Sequence, residues 1–172
     1  MKLPCRLGVA LALLGAACGR TPEPASRVRA LVARAHQDSI RFEAPAHAKR
    51  CSGGPGTWGL LLQGSRGGNG VVVWLRGSGK DSLVPGPWPL LQRGDTVSSR
   101  GATVGVRYMT NDVAHGLVLD SGAVEVREAG RVVTLVARGT GLEPATAGRV
   151  ALEAWFEAVP LEADTISCRS IA

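Results

Sequence analysis

From Cys51 onward, the chain alternates short β-prone runs with turn residues. Val124 and Val126 alternate with Glu125 and Arg127, which is the period-two pattern of a strand with one buried face. Helical spacing is absent from this part, and Gly, Pro, Asn and Asp separate the runs at the interval expected of a β-sandwich or small barrel. The predicted strands are 58–63, 70–76, 103–108, 116–120, 123–127, 131–138 and 149–159, with a last piece near Ser167.

Two segments have patterns that predict their place in the sheet. The run 71–75 is apolar on both faces, which indicates a central strand. The segment 82–94 carries three prolines around Trp88, and proline cannot donate to a strand ladder. We therefore predict a long ordered loop or an edge strand there.

The last long strand presents an aromatic residue on its polar face. Its predicted outward set includes Trp155 between two glutamates. A loop covers most aromatic residues of this kind, but some mark a contact surface, so Trp155 is a candidate contact residue. The predicted inward set is Val150, Leu152, Ala154, Phe156 and Ala158.

The segment before Cys51 has a different character. A stiff Thr-Pro-Glu-Pro spacer begins at Thr21, and Val28, Leu31, Val32 and Ala35 follow at helical spacing. This spacing predicts a short helix within a tether. The predicted organisation is a signal peptide over 1–17, a tether over 18–50 and a β-domain over 51–172.

Charge is distributed unevenly between these parts. The whole chain has a net charge of +6, but from Cys51 onward eleven Lys and Arg face eleven Asp and Glu. The excess of positive charge lies in the predicted signal peptide and tether, so we do not expect the domain to bind nucleic acid. A basic tether beside a membrane is attracted to anionic head groups, and the alternative is an ordinary solvated linker.

The N-terminus has the pattern of an export signal. Lys2 and Arg6 form a positive region, and the apolar run 7–14 that follows is too short for a permanent membrane helix. We therefore expect the segment 1–17 to be removed on export.

The residues at the cleavage point resemble the lipobox of bacterial lipoproteins. Leu14-Gly15-Ala16-Ala17 precedes Cys18, although the leucine stands one position earlier than is common. The resemblance implies a diacylglycerol on the Cys18 thiol and a palmitate-type acyl anchor in the membrane, and Gly19 after it implies the outer membrane. The alternative is an ordinary signal peptide that leaves Cys18 as a free thiol. The layout of the whole chain is similar to uncharacterised small bacterial lipoproteins with one Cys-bracketed β-domain, and it implies no activity.

The remaining cysteines suit a disulfide. Cys5 leaves with the signal peptide and Cys18 is lipidated, so Cys51 and Cys168 remain in an oxidising compartment, where two thiols should pair. The alternatives are two buried reduced thiols or a metal pair. A metal would need further ligands, so we predict neither a metal nor another cofactor.

The sequence lacks two catalytic motifs that its glycine-rich segments would suggest. The stretch Trp74–Asp81 lacks the spacing of a phosphate-binding loop, and there is no Gly-x-Ser-x-Gly elbow. His115 is the one histidine after Cys51. A trio with Asp112 or Asp120 and Ser121 can be drawn, but residues on neighbouring turns rarely converge, and a solvent-exposed loop histidine is the favoured interpretation.

These observations predict a lipid-anchored protein of the bacterial cell envelope. The favoured function is a noncatalytic binding or structural module whose partner is an unknown envelope protein or small ligand. One alternative is a small barrel that carries a hydrophobic ligand in a pocket lined by Trp58, Trp74 and Phe156. A hydrolase that uses His115 is the other, and it requires a cleft that brings His115 together with an acid.

Overall fold

The computed structural model describes residues 26–35, 37–54, 56–79, 82–92, 94–95 and 98–168, and this part of the chain is all-β. The predicted signal peptide and Cys18 lie outside the described residues. The strands are β1 (Arg27–Arg34), β2 (Ile40–Gly54), β3 (Thr57–Arg66), β4 (Asn69–Ser78), β5 (Gly86–Pro89), β6 (Gly101–Thr110), β7 (Val113–Val118), β8 (Ser121–Ala129), β9 (Val132–Glu143) and β10 (Gly148–Ser167).

One sheet contains all ten strands, in the order β5-β8-β9-β10-β1-β2-β3-β4-β6-β7. The described strands pair in antiparallel fashion except for β10 with β2, which is parallel. The sheet is not closed into a barrel, since β5 and β7 are its edges, and it folds over into a sandwich-like pair of layers. The predicted all-β class is therefore confirmed, in its sandwich form.

Two long strands pass from one layer to the other. β2 pairs with β1 up to Pro45 and with β3 from Ala46 onward. β10 pairs with β9 up to Pro160 and runs beside β2 from Leu161. Strands that change sheets make the corners of such sandwiches, often with the help of a bulge.

A bulge in β10 corrects one predicted core position. Phe156 is buried as expected, but Ala158 adopts a φ of 47° and is only partly buried. The register shifts between Phe156 and Val159, so Val159 takes the inward place that Ala158 was predicted to hold. The other predicted inward residues of this strand are buried.

The core between the layers is a continuous cluster of side chains from both sheets. Its largest fully buried members are Trp88, Tyr108 and Phe156. Each fully buried Leu, Val or Phe contributes about 1.5–3 kcal/mol to stability, so this cluster is the main stabilising element of the fold.

The predicted helix in the tether is wrong. Residues 27–34 form β1, which lies between β10 and β2 in the middle of the sheet, with Val28, Ala30 and Val32 buried. Val28 and Val32 are four residues apart, a spacing that places them on one face of a helix and also on one face of a strand. The segment forms a strand because its backbone pairs with β10 on one side and with β2 on the other. The β-domain therefore includes everything described from Ser26 onward, rather than beginning at Cys51.

The positions of the proline-rich segment and of strand β4 agree with the predictions. β5 lies at the sheet edge, and β8 is its one partner among the described strands, while Trp88 of β5 is buried in the core. β4 lies between β3 and β6, although Val72 on its outer face is partly exposed rather than covered.

None of the residues that the structure describes forms a helix long and apolar enough to cross a membrane.

Candidate functional sites

A disulfide joins Cys51 at the end of β2 to Cys168 just after β10, as predicted. The two Cα atoms are 5.0 Å apart, and both residues are buried. The disulfide and the indole of Trp74 both lie over Gly59. A Cβ added to this glycine would come within 2.5 Å of Cys51 Sγ and 2.7 Å of Trp74 Nε1, so the indole packs beside the bridge. The bridge therefore fixes the terminal strand against the strand that turns the corner between the layers.

At the opposite end of the sandwich, strand alternation brings three polar side chains to the interior. Tyr108 continues the inward set of β6, His115 alternates with buried Leu117 on β7, and Glu143 is the last inward residue of β9. Tyr108 and His115 are directly paired across the two strands. Their rings stack with centroids 5.1 Å apart and planes 9° from parallel.

A tight hairpin holds this pair in place. Asn111 and Asp112 link β6 to β7, and both have positive φ, 46° and 66°. Two such residues in a two-residue loop are characteristic of a type I′ turn, for which Asn and Asp are suited. The turn fixes Thr110 and His115 on the same inner face as diagonal neighbours.

Glu143 accepts hydrogen bonds from three side chains. Tyr108 donates its hydroxyl hydrogen to Oε1 at 2.8 Å, and Thr146 donates to Oε2 at 2.6 Å. His115 Nδ1 lies 2.6 Å from Oε1, and His115 Nε2 lies 2.6 Å from Thr110 Oγ1. An ionised carboxylate can only accept, so Nδ1 carries a hydrogen, and in a neutral ring Nε2 then accepts from Thr110.

Burial and hydrogen bonding determine the ionisation of this polar cluster. Burial favours the neutral acid at Glu143, but the bonds from Thr146, Tyr108 and His115 outweigh it and lower the pKa of the carboxyl group below 4.5. Burial, and then the hydrogen bond to Glu143, raise the pKa of Tyr108 to about 12. The guanidinium of Arg34, 5.8 Å from the Tyr108 ring centroid, opposes that rise without cancelling it.

The structure therefore corrects the predicted surroundings of His115. The histidine lies in a strand and not in an exposed loop, and its side chain is only 11 % exposed. The acid beside it is Glu143, which is 2 % exposed and was missed from sequence. Asp112 lies in the turn, and Asp120 pairs instead with Arg149 on the surface. The chain Thr110–His115–Glu143 has the nucleophile–base–acid order of a hydrolytic triad.

Trp155 lies on the outer face of β10, as predicted, and is partly buried. Arg29 stacks over its ring at 5.7 Å, and a shallow groove beside it is lined by residues of β1 and β2. Arg29 and Arg27 both pair with Glu157 of β10. Arg27 and Arg29, which the sequence analysis assigned to the tether, therefore lie on the surface of the sheet.

A cavity of about 660 Å³ opens between the layers at the end of the sandwich opposite to Glu143. Its apolar lining includes Trp58, Leu60 and Leu83, and its polar lining includes Arg50 and Thr165. Of the three aromatic residues expected to share a pocket, only Trp58 lines this cavity. Phe156 is in the core, and Trp74 is beside the disulfide.

Within the described residues, no three or more His, Cys, Asp or Glu side chains come together as a metal-binding group.

The chain matches no protein-family model, and no curated protein or solved structure is significantly similar to it. Its function must therefore be inferred from its own residues and geometry.

Proposed function

We propose that this protein is an exported module of the bacterial cell envelope, anchored through a lipid on Cys18, that binds a partner without transforming it. The N-terminal sequence supports export and anchoring, since an export signal leads to a lipobox-like segment before Cys18. Gly19 favours the outer membrane as the destination.

The disulfide Cys51–Cys168 is the observation that carries this proposal. Disulfides persist in oxidising compartments and are rare in the reducing cytosol. This one closes a separation of 117 residues and ties the last strand of the domain to β2. Such a bridge resists unravelling of the domain from its C-terminal end outside the cell.

The polar cluster around Glu143 supports a structural role at that end. Both carboxylate oxygens accept hydrogen bonds, and the donors come from β6, β7 and the turn after β9. A buried carboxylate needs such partners, and here they join the edge of one layer to a hairpin of the other. Glu143 and its donors thus form a clamp between the layers.

Cell fractionation tests the anchoring directly. Replacing Cys18 with Ser should move the protein from the membrane fraction to the soluble periplasmic fraction. The matched control is Cys5→Ser, which alters a cysteine that leaves with the signal peptide and should not change the distribution. Retention of the Cys18→Ser protein in the membrane fraction would contradict lipid anchoring at this residue.

One observation favours a second candidate, a hydrolase for small esters. Thr110 Oγ1 lies 2.6 Å from His115 Nε2, and His115 Nδ1 lies 2.6 Å from Glu143. In that reaction the Thr110 oxygen attacks the ester carbonyl while its proton passes to His115, which returns it to the departing alcohol. Water then hydrolyses the acyl-threonine by the reverse proton path.

Ester hydrolysis by purified protein separates the two candidates. The binding-module proposal expects the rate with a nitrophenyl acetate to be the same for the unmodified protein and for Thr110→Val. A rate that exceeds background and is lost in Thr110→Val, with the fold retained by circular dichroism, would establish the hydrolase instead.

A further inference from the structure

The cavity at the disulfide end of the sandwich lies at the mouth of the hydrophobic core. Trp58 and Leu60 line it from β3, Leu161 from β10 and Ala129 from the end of β8. All but Leu60 are partly buried hydrophobic residues packed against the core, and Leu60 belongs to the core itself. The cavity is therefore a recess between the two layers with an apolar wall, and its lining also includes the polar residues Ser52, Thr57, Ser82 and Thr165.

Trp58 forms a rigid wall of this recess. Its ring contacts Trp88 edge-to-face with centroids 5.8 Å apart, and it lies over Gly77, where an added Cβ would come within 2.3 Å of the ring. Gly77 is thus required for the indole to lie flat against β4. An aromatic wall held on both sides offers a preformed surface for an apolar ligand.

Arg50, an exposed residue, places a positive charge at the rim of the same recess. Ala44, Ala46 and Ala48 form the buried inward row of β2, and Arg50 is the next residue in that row. It pairs in register with inward-facing Leu60, so the two side chains project from the same face. Among the described residues, Arg50 has no ion-pair partner.

We propose that this recess, here called the mouth pocket, binds an amphipathic carboxylate of the fatty-acid type. The hydrocarbon part would lie against Trp58, Leu60 and Leu161, and the carboxylate would accept hydrogen bonds from the Arg50 guanidinium at the rim. The volume of about 660 Å³ is within the range of pockets that enclose small ligands. This inference deepens the proposed binding function and rests on it.

The cation and the apolar wall together favour this ligand class over neutral lipids. An arginine that has no ion-pair partner among the described residues, placed beside an apolar wall, supplies a planar double donor that matches a carboxylate. The groove beside Trp155 also carries cations, since Arg29 there pairs with Glu157 and Arg41 has no ion-pair partner among the described residues, but that groove is shallow. The mouth pocket combines a cation with a deeper recess that has an apolar wall.

Fluorescent-probe displacement with the full chain carrying Cys18→Ser tests the proposal. This substitution removes acyl chains that would compete for the pocket. The probe is anilinonaphthalene sulfonate, and the competitors are dodecanoate and dodecanol, which differ in the anionic group. We expect saturable binding of the probe at one site and displacement by dodecanoate at concentrations about tenfold lower than by dodecanol.

Two variants and one control locate the site. Arg50→Gln should weaken dodecanoate binding about tenfold and leave dodecanol little changed, because only the charged contact is lost. Leu83→Glu, which places a negative charge at the pocket, should weaken both the probe and dodecanoate. Arg66→Gln removes an exposed cation at the other end of β3 and should have no effect.

Three results would contradict the proposed ligand site. No probe binding, equal affinity for dodecanoate and dodecanol, or unchanged binding in both Arg50→Gln and Leu83→Glu would overturn the mouth-pocket proposal. None of these binding results depends on how the Cys18 variants fractionate between membrane and periplasm. Failure of the mouth-pocket proposal can therefore be distinguished from failure of the anchoring proposal.

Discussion

Replacement of Glu143 by Ala is the sharpest test of the buried clamp. The carboxylate accepts hydrogen bonds from Tyr108, His115 and Thr146, and it is almost fully buried. Alanine removes the acceptor and leaves the Tyr108 hydroxyl, in a fully buried residue, without its partner. The variant should therefore fold less stably rather than simply lose a surface charge.

The expected loss follows from the number and burial of these bonds. A hydrogen bond to a charged group contributes about 1.5–3 kcal/mol, but the three share one carboxylate whose desolvation opposes them. A net destabilisation of about 3–5 kcal/mol is expected, which is the range for breaking a buried charged pair. With a urea m-value of about 2 kcal/mol per molar, the unfolding midpoint should fall by about 2 M.

The pH dependence has a definite sign. The pKa of Glu143 is lowered in the fold, so its contribution is present above the unfolded value of 4.5 and is lost as the pH falls through the lower folded pKa. Tyr108 has a pKa raised from 10.0 to about 12, so its contribution is present below pH 10.0 and is lost as the pH rises towards 12. The stability difference between the unmodified protein and Glu143→Ala should therefore be largest between these limits.

Urea unfolding followed by circular dichroism, at several pH values from strongly acidic to neutral, measures this difference. Glu125→Ala is the matched control, because Glu125 is an exposed residue of β8. Its effect should stay within about 0.5 kcal/mol. A loss below about 1 kcal/mol in Glu143→Ala, or a loss that does not shrink at acid pH, would refute the clamp.

Two further variants, one of them with a matched control, test the framework of the fold. Replacing Cys51 and Cys168 together by Ser should lower the free energy of unfolding by about 2–4 kcal/mol, measured by urea unfolding against the oxidised unmodified protein, and equal stability of these two proteins would contradict a bridge in solution. Val32→Asp should abolish folding, as judged by proteolysis, because it buries an unpaired charge in β1. The control Ala33→Asp, on the outer face of the same strand, should be tolerated. If both variants were tolerated equally, residues 27–34 would be a free tether and not a strand of the sheet.

The sequence patterns predicted the strands whose inner faces carry large apolar residues. In β10 the inward Val150, Leu152 and Phe156 recur with period two, and Glu153 and Glu157 lie on the opposite face, so the pattern predicts both the strand and its orientation. Where the inward residues are small, the pattern disappears. The fully buried part of the inward row of β2 consists of three small residues, Ala44, Ala46 and Ala48, so the hydrophobic pattern there predicts a linker rather than a strand.

Glu143 was missed for a related reason. The predicted strand ends at Arg138, just before Gly139 and Gly141, yet both glycines continue the inward alternation of β9 to Glu143. An added Cβ on Gly141 would come within 2.3 Å of the Val118 backbone oxygen, so close approach of the two segments requires glycine there. The contact between His115 and Glu143 depends on how the layers fold over each other, which local sequence does not encode.

The intact mass of the native protein tests the central claim most directly. The protein is extracted from membranes, alkylated without reduction and measured whole. Export and lipid anchoring predict a chain that begins at Cys18, carries a diacylglycerol and acquires no alkyl group, because Cys51 and Cys168 are bridged. A chain that retains residues 1–17, or a mature chain with alkyl groups on both Cys51 and Cys168, would contradict the account.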